Sequence, residues 1–191
     1  MGLIRTTHPT TTVIATSDIK QHLRLDVDSA DAELVELVHS AESYCEDNTG
    51  RQFMTATYTK TLDQFPCWEI ILDRPPLQSV DSITYVASSD GSTLTLSSSL
   101  YKVSTNGQKG RVTPAYNEVW PTPRVEIDAV QIVYTAGATA SSNVPREAHQ
   151  AEKLLAGHYY NTRVVASEGS MSEVPMSVQS LLDHIKVGEY D

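Results

Sequence analysis

Cysteine and long apolar runs are both scarce in this sequence. Among its 191 residues only Cys45 and Cys67 are cysteines, so a scaffold held together by several disulfides is excluded. We expect both thiols to be free and buried. No segment approaches the ~20 consecutive apolar residues that cross a bilayer, and the start, MGLIRTTHPTTTV, lacks the apolar core of a secretory signal. The composition therefore predicts a globular protein that does not enter a membrane.

Basic residues are also few. Fourteen Lys and Arg stand against 24 Asp and Glu, which gives a formal net charge of −10 and a pI near 4.9. Such a chain is not attracted to phosphates over its whole surface, so general binding to nucleic acid is not expected. A passage for DNA is better lined with neutral or negative groups, because attraction would hinder sliding. Ordinary solubility explains the same charge, and the charge alone does not separate these two interpretations.

Recognisable catalytic motifs are absent as well. The sequence contains no Gly-x-Gly-x-x-Gly, no phosphate-binding loop, no Gly-x-Ser-x-Gly and no His-Glu-x-x-His. His149 and Glu152 lie one helical turn apart, but His158 is more than two turns from His149 and falls on an apolar stripe. Glu42 and Glu46 share one helical face, which we interpret as solvated. We therefore predict no enzyme, no metal site and no cofactor.

One long segment has the pattern of an amphipathic helix. Between residues 30 and 49 the following apolar side chains recur at steps of three and four and share one face: Leu34, Leu37, Val38, Ala41, Tyr44 and Cys45. Ser29 is a suitable N-cap, and Gly50 suits the left-handed residue that ends a helix. Three further helices are predicted: a short one that Thr16 or Ser17 caps and that runs through Leu23, one beginning at Pro145 and one beginning at Pro175.

The middle of the chain changes to a period of two, which is typical of strands. From Thr55 onward the predicted strands are 57–65, 68–72, 80–87, 92–96, 101–104, 110–113 and 125–135. Asp90-Gly91 and Asn106-Gly107 are hairpin signals. Strands grouped between helices indicate an α+β fold rather than alternating βαβ units. We predict a small antiparallel helical core from both ends of the chain, with an inserted antiparallel β region.

The predicted organisation has four parts. Residues 1–15 are Thr-rich and lack periodicity, so they are expected to form an extended N-terminal arm. Residues 16–54 supply the first helices of the helical core, and residues 55–135 form the β insertion. Residues 144–191 supply the C-terminal helices and the tail of the helical core.

Six pieces of the chain form an ordered pattern. They are the segment ending LRLD, the helix ending AESYCEDNTGR, and then LDRPPLQSVDSITYV, VTPAYNEVWP, VQIVYTAG and VPREAHQAEKLLAGHYYNTR. Together they span roughly Thr16 to Ile185 and resemble the head–tail connector, or adaptor, proteins of tailed bacteriophages. Related adaptors occur in gene transfer agents, which are phage-derived particles, and the sequence does not separate these two sources.

The resemblance implies a structural role in the virion neck, at the head–tail junction. It implies a ring of twelve copies, matching the portal, that joins the portal to a stopper or tail protein and lines the DNA exit channel without binding DNA specifically. The protein would be made in the bacterial host cytoplasm and would have no membrane partner. The alternative is a tail-completion protein or assembly chaperone acting as a monomer or dimer, and a small hydrolase using Glu and His is a third hypothesis.

Two sets of residues are candidate interaction sites. The resemblance implies that the C-terminal region docks to the portal, through the residues Val174, Pro175, Val178, Leu181, Leu182, Ile185 and Tyr190. The residues expected to contact a neighbouring copy or the tail are Asp90, Gly91, Asn106, Gly107, Tyr116 and Trp120. Aromatic residues in loops are frequent at interfaces. Packing of Trp120 beneath its own loop is the alternative for that residue.

Overall fold

The computed structural model describes residues 2–25, 31–165 and 174–188. The chain divides into two compact units, and each unit is assembled from two separate stretches. The β unit consists of residues 1–9 and 55–138, and the helical unit consists of residues 10–54 and 139–191. The predicted α+β class is confirmed, because the described residues form four helices and two antiparallel sheets.

Four helices form the helical unit. They are α1 (Thr16–Leu23), α2 (Asp31–Thr49), α3 (Arg146–Val165) and α4 (Met176–Ile185). The predicted apolar stripe of α2 is confirmed, because Leu34, Val38 and Ala41 are buried on it. Gly50 has a φ of +69°, as expected for the residue that ends this helix, whereas the predicted cap at Ser29 lies outside the described residues. The helix α3 contacts the other three and so lies at the centre of the unit.

Eight strands form the β unit. They are β1 (Gly2–Thr7), β2 (Ala56–Leu62), β3 (Ile70–Leu72), β4 (Leu77–Val86), β5 (Thr93–Thr95), β6 (Tyr101–Ser104), β7 (Gly110–Pro114) and β8 (Val130–Ala136). One antiparallel sheet has the order β1–β2–β8–β4–β5, and the other has the order β3–β7–β6. The strands β2 and β8 alternate between buried and more exposed residues, which is the period of two seen in the sequence.

Tyr134 of β8 lies at the centre of the β-unit core. Its side chain is fully buried, and its ring stacks on Tyr58 of β2 with the ring centroids 5.7 Å apart. The Tyr134 hydroxyl donates to the Asp73 carbonyl at 3.0 Å. Burial raises the pKa of Tyr134, so the phenol stays protonated and remains a donor. This bond satisfies the one polar atom of a large core side chain.

A buried lysine forms a second polar contact in the β unit. The Lys60 ammonium donates to the Ile71 carbonyl at 2.6 Å and to the Asp73 carboxylate at 2.8 Å. Burial alone would raise the pKa of Asp73, but the hydrogen bond and charge of Lys60 hold it below its usual range. The buried ammonium group of Lys60 on β2 is therefore paired with the carboxylate of Asp73, which offsets the cost of removing the charge from water.

Two segments differ from the sequence prediction. Gly2–Thr7 was expected to lie in an extended arm, but it forms the edge strand β1, paired with β2 from Gly2 opposite Thr61. The predicted strand 125–135 begins only at Val130. The Ala129 carbonyl still accepts from the Val86 N–H at 2.9 Å, but Asp128 takes a left-handed φ of 57°, which interrupts the extended backbone, and its N–H donates to the Asp63 carboxylate. Alternation in the sequence indicated a strand there, but the backbone conformation at Asp128 delays its start.

Two glycines give contrasting predictions for stability. A Cβ at Gly110 would lie 2.7 Å from the Leu77 Cβ, so we expect Gly110→Ala to lower the free energy of unfolding by about 1–3 kcal/mol. A Cβ at Gly157, in α3, would lie no closer than 3.4 Å to His22, so Gly157→Ala should be neutral or stabilising by up to ~1 kcal/mol through helix propensity. Urea unfolding of both variants measures whether Gly110→Ala is less stable than Gly157→Ala. If Gly110→Ala were more stable than wild type, the close approach of Gly110 to Leu77 would be contradicted.

Candidate functional site

Two loops of the β unit pack against each other through aromatic side chains, and we call them the aromatic loop pair. They are residues 63–68, which follow β2, and residues 115–129, which join β7 to β8. The Trp120 ring stacks on Phe65, with centroids 5.0 Å apart and an angle of 6° between the planes. The Trp120 Nε1–H donates to the Trp68 carbonyl at 3.0 Å. These contacts join the two loops into one structural element.

Backbone contacts also hold the aromatic loop pair in place. The Asp128 N–H donates to the Asp63 carboxylate at 3.0 Å. The Arg124 N–H donates to the Val86 carbonyl, at the end of β4, at 2.9 Å. The Arg124 guanidinium lies against Gly91, so the Asp90-Gly91 turn adjoins the loop pair. The loop pair therefore lies at one end of the five-stranded sheet, where β2 and β4 end and β8 begins.

The outer surface of the aromatic loop pair is apolar. Tyr116 is 90% exposed and Val125 is 100% exposed, and Trp68, Val119 and Ile127 are exposed as well. A groove of about 380 Å³ runs between the two loops and is lined in part by Trp68 and Val119. Exposed aromatic and apolar groups clustered in this way are typical of protein interaction surfaces.

The sequence prediction identified part of this surface. Tyr116 is exposed on it, whereas Trp120 is partly buried and packs beneath the loops, in agreement with the alternative considered for that residue. The prediction that both thiols are buried is wrong for Cys67, which is free and exposed in the groove, and right for Cys45. The exposed residues Val125 and Ile127 were missed because their alternating pattern was assigned to a strand.

The two predicted turns are exposed at the ends of strands. The Asp90 carboxylate accepts hydrogen bonds from the Ser92 N–H at 3.0 Å and the Ser92 hydroxyl at 2.8 Å, and these bonds lower the pKa of Asp90. Gly91 has a φ of +76°, which favours glycine at this position. Asn106-Gly107 lies in the exposed loop between β6 and β7, where Gly107 has a φ of +131°.

The C-terminal segment divides into a buried row and an exposed row. On α4 the side chains of Val178, Leu182 and Ile185 are buried within the helical unit. Leu181 is partly buried, and Val174 and Pro175 precede the helix at intermediate exposure. The predicted portal contact at Tyr190 lies outside the described residues.

The exposed row of α4 consists of side chains that the sequence prediction did not select. Met176 is 88% exposed, and Ser180, Asp183 and His184 are also exposed. Beyond the helix, the Val187 N–H donates to the Thr49 carbonyl at 2.9 Å, so the end of α4 is tied to the end of α2. The predicted residues thus anchor the helix, while other residues of the same segment face outward.

Three carboxyl groups are buried in the helical unit. Glu42, Glu46 and Glu152 are all buried, so the prediction of a solvated face for Glu42 and Glu46 is wrong. The reason is that α2 contacts α1, α3 and α4. Glu42 and Glu46, which lie on two successive turns beside the apolar stripe, are therefore covered as well. The Glu46 carboxylate accepts from the Phe53 N–H at 3.0 Å and from the Gln52 amide, which ties the end of α2 to the following residues.

Glu152 has the most restrictive environment of the three carboxyl groups. It is 0% exposed, and neither carboxyl oxygen has a hydrogen-bond partner among the described residues. Burial raises the pKa of Glu152, and the nearby Glu42 and Glu46 raise it further. A carboxyl group in this setting is held in its neutral form.

Within the described residues, His149 and the buried carboxyl groups of Glu42, Glu46 and Glu152 do not form a metal site. His149 is placed by a 2.9 Å contact between its Nε2 and the Ser141 carbonyl. No group of three or more His, Cys, Asp or Glu side chains in the described ranges is arranged to hold a metal ion.

Among the described helices, none combines the length and the apolar character that a bilayer crossing requires.

Charge is divided unequally between the two units. The β unit has seven basic and eight acidic residues, a formal net charge of −1, whereas the helical unit has seven basic and sixteen acidic residues, a net charge of −9. Within the β unit the aromatic loop pair has one basic and four acidic residues. By contrast, the first acidic residue of the whole chain is Asp18, so the segment that contains β1 has none.

The sequence model of the "Head completion protein" family matches residues 12–179. This chain therefore belongs to the head completion protein family. No curated protein matches the chain in sequence.

Three solved structures share the fold. A chain in the virion of a native gene transfer agent particle is 20% identical, with a TM-score of 0.82. A chain in the neck of an empty gene transfer agent particle, computed with C6 symmetry, is 22% identical with a TM-score of 0.81. A chain in the neck of a native particle, computed with C12 symmetry, is 20% identical with a TM-score of 0.79.

Each of these comparisons covers 100% of this chain and 97% of the other chain. The resemblance to connector proteins of phage-like particles is therefore confirmed at the level of family and fold.

The buried carboxyl group of Glu152 gives a prediction for pH dependence. The folded state holds its proton more tightly than the unfolded state, in which a Glu pKa is about 4.3. Stability should therefore fall as the pH rises above about 4.3, by up to ~1.4 kcal/mol per pH unit, until the pH passes the raised folded-state pKa. Glu152→Gln removes this ionisation. We expect its stability relative to wild type to increase over that range, measured by chemical denaturation at a series of pH values.

The control is Glu36→Gln, which alters an exposed glutamate on the same unit. It shows the effect of replacing a glutamate by glutamine where the side chain is exposed to water, with which the effect of Glu152→Gln is compared. If the stability difference between Glu152→Gln and wild type stayed constant with pH, Glu152 would not be held neutral in the folded protein.

Proposed function

We propose that this protein is a structural adaptor at the head–tail junction of a phage-like particle, where it joins the portal to the tail. The observation that carries the proposal is the likeness to chains of gene transfer agent necks over 100% of this chain, with TM-scores of 0.79 to 0.82. Membership in the head completion protein family supports the same role. Both a phage and a gene transfer agent remain compatible sources.

The proposed mechanism is assembly rather than catalysis. Copies form a closed ring through heterologous contacts, in which one surface of a copy meets a different surface of the next. The C12 symmetry of a neck that contains a similar chain supports a ring of twelve. Such a ring encloses the DNA exit channel. The exposed turns Asp90-Gly91 and Asn106-Gly107, together with Tyr116, are proposed to contact a neighbouring copy or a stopper or tail protein. Trp120, which packs beneath the loops, is proposed to support this surface from below.

The C-terminal segment, Val174–Asp191, is proposed to contact the portal. The buried row Val178, Leu182 and Ile185 anchors α4 on the helical unit. The exposed row, which includes Met176 and His184, is then free to meet the portal. Deleting the whole segment would remove core side chains, so substitutions in the exposed row test this contact more directly.

The acidic composition of the chain supports a channel-lining role. A formal net charge of −10 gives no general attraction to the phosphate backbone of DNA, so DNA would pass without being held. The proposal includes no specific DNA binding, no cofactor and no membrane partner. Assembly would take place in the cytoplasm of the bacterial host, and the mature protein would lie in the virion neck.

Imaging tests the proposal directly. The purified chain would be examined by negative-stain electron microscopy alone and after mixing with the portal protein of the same particle. Rings, or an added layer on the narrow end of the portal, are the expected result. Small particles that ignore the portal would contradict the adaptor role and would favour a tail-completion protein or an assembly chaperone acting as a monomer or dimer.

The exposed row of α4 gives a prediction for portal binding. Because Met176 is 88% exposed, Met176→Asp should leave thermal unfolding unchanged. We expect it to weaken binding to the portal by about tenfold or more, since it places a charge in an apolar contact. Biolayer interferometry with immobilised portal measures the affinity.

The control is Val35→Asp, which changes an exposed apolar residue of α2. It should bind the portal like wild type. Equal binding by Met176→Asp and wild type would remove the exposed row from the portal contact.

A further inference from the structure

We infer that the aromatic loop pair of one copy docks on the β1 edge strand of the next copy. The inference rests on the proposed ring and names the two surfaces that would form its repeated contact. It therefore assigns the loop pair to a neighbouring copy rather than to the tail.

The aromatic loop pair has the composition of a binding surface. Its five outward side chains, Trp68, Tyr116, Val119, Val125 and Ile127, are between 66% and 100% exposed. Large apolar side chains with this exposure remain in contact with water in the isolated chain, so the hydrophobic effect adds nothing from them to its stability. Burial against a partner would recover that free energy.

The loop pair is also ordered before it meets a partner. The stack of Trp120 on Phe65, the bond from Trp120 to the Trp68 carbonyl and the bond from Asp128 to Asp63 fix its backbone within one copy. A surface that is already ordered loses less conformational entropy when it binds. The exposed residues are thus presented on a rigid element rather than on a free loop.

The β1 strand is the matching surface because of its place in the sheet. In the order β1–β2–β8–β4–β5 it is an edge strand, so one side of its backbone has no partner strand among the described residues, whereas the loop pair lies where β2 and β4 end and β8 begins. A head-to-tail contact around a ring joins two different surfaces of one chain in this way. The strand also offers apolar side chains, with Ile4 65% exposed on one face and Leu3 37% exposed on the other.

Charge favours the same pairing. The loop pair has four acidic residues against one basic residue, whereas the chain before Asp18 has Arg5 and no acidic residue. A negative apolar surface thus meets a weakly positive apolar one. The net charge of −1 on the β unit keeps the repulsion between copies small, which is not true of the helical unit at −9.

Variants on each surface test the contact. Val125→Asp alters the loop pair, Ile4→Asp alters β1, and Val103→Asp on β6 is the matched control, with Val103 40% exposed. Circular dichroism and thermal unfolding would first show that all three remain folded. Ring formation on the portal would then be followed by negative-stain microscopy and mass photometry of the full chain.

We expect Val125→Asp and Ile4→Asp each to lower ring formation by about tenfold or more, and Val103→Asp to assemble like wild type. Each of the first two variants keeps one intact surface. An equimolar mixture of them in solution should therefore form pairs of copies that do not extend into rings, whereas either variant alone should not form pairs.

The other outcomes separate the inference from the proposed function. If Val125→Asp formed rings as abundantly as wild type, the inference would be overturned. This holds even if the variant failed to bind a protein on the tail side. Loss of rings with Val125→Asp but not with Ile4→Asp would overturn the docking on β1. Failure of wild type to form a ring or a layer on the portal would overturn the proposed adaptor role itself.

Discussion

The pairing of β8 on both of its edges is the constraint on which the β unit depends. Hydrogen bonds to β2 and β4 set its register, with Ile132 opposite Lys60 on one side and Ile83 on the other. A slip by one residue would turn Ile132 and Tyr134 away from the core. Because β2 also pairs with β1, this register links the N-terminal residues to strands more than fifty positions away. The aromatic loop pair leads directly into β8, so the same register positions its exposed surface.

The two units have different physical characters, and these suit different tasks. The β unit is nearly neutral and exposes apolar loops on a rigid sheet, which suits contact between proteins. The helical unit has a formal net charge of −9, yet among its described residues it buries the carboxyl groups of Glu42, Glu46 and Glu152, of which Glu152 is held neutral by its surroundings. A chain with an acidic composition has no general attraction for phosphates, which suits a passage for DNA in the proposed ring. Burial of Glu152 lowers the stability of the helical unit at neutral pH, and its packed helices offset that cost.

Sequence patterns predicted the helices well because an apolar stripe at helical spacing needs only local information. The short helix predicted to run through Leu23 ends there as α1, although its N-cap is Ala15 and not Thr16 or Ser17. In the stripe of α2, Leu34, Val38, Ala41 and Cys45 are buried as expected. Patterns failed where tertiary contacts decided the outcome. Residues 125–128 alternate like a strand, but Asp128 takes a left-handed φ and its N–H donates to the Asp63 carboxylate. Glu42 and Glu46 lie beside the apolar stripe, and the sequence did not show that a further helix covers them.

The sequence by itself determined the class of fold, the helices, most of the strands and the resemblance to connector proteins, because these follow from local spacing and from ordered motifs. Only the tertiary structure decided that the N-terminal segment closes a sheet edge as β1 and that Trp120 lies beneath the loop surface that Val125 and Ile127 form. The physical reason is the same in each case: burial depends on what packs against a residue, and that partner is remote in sequence.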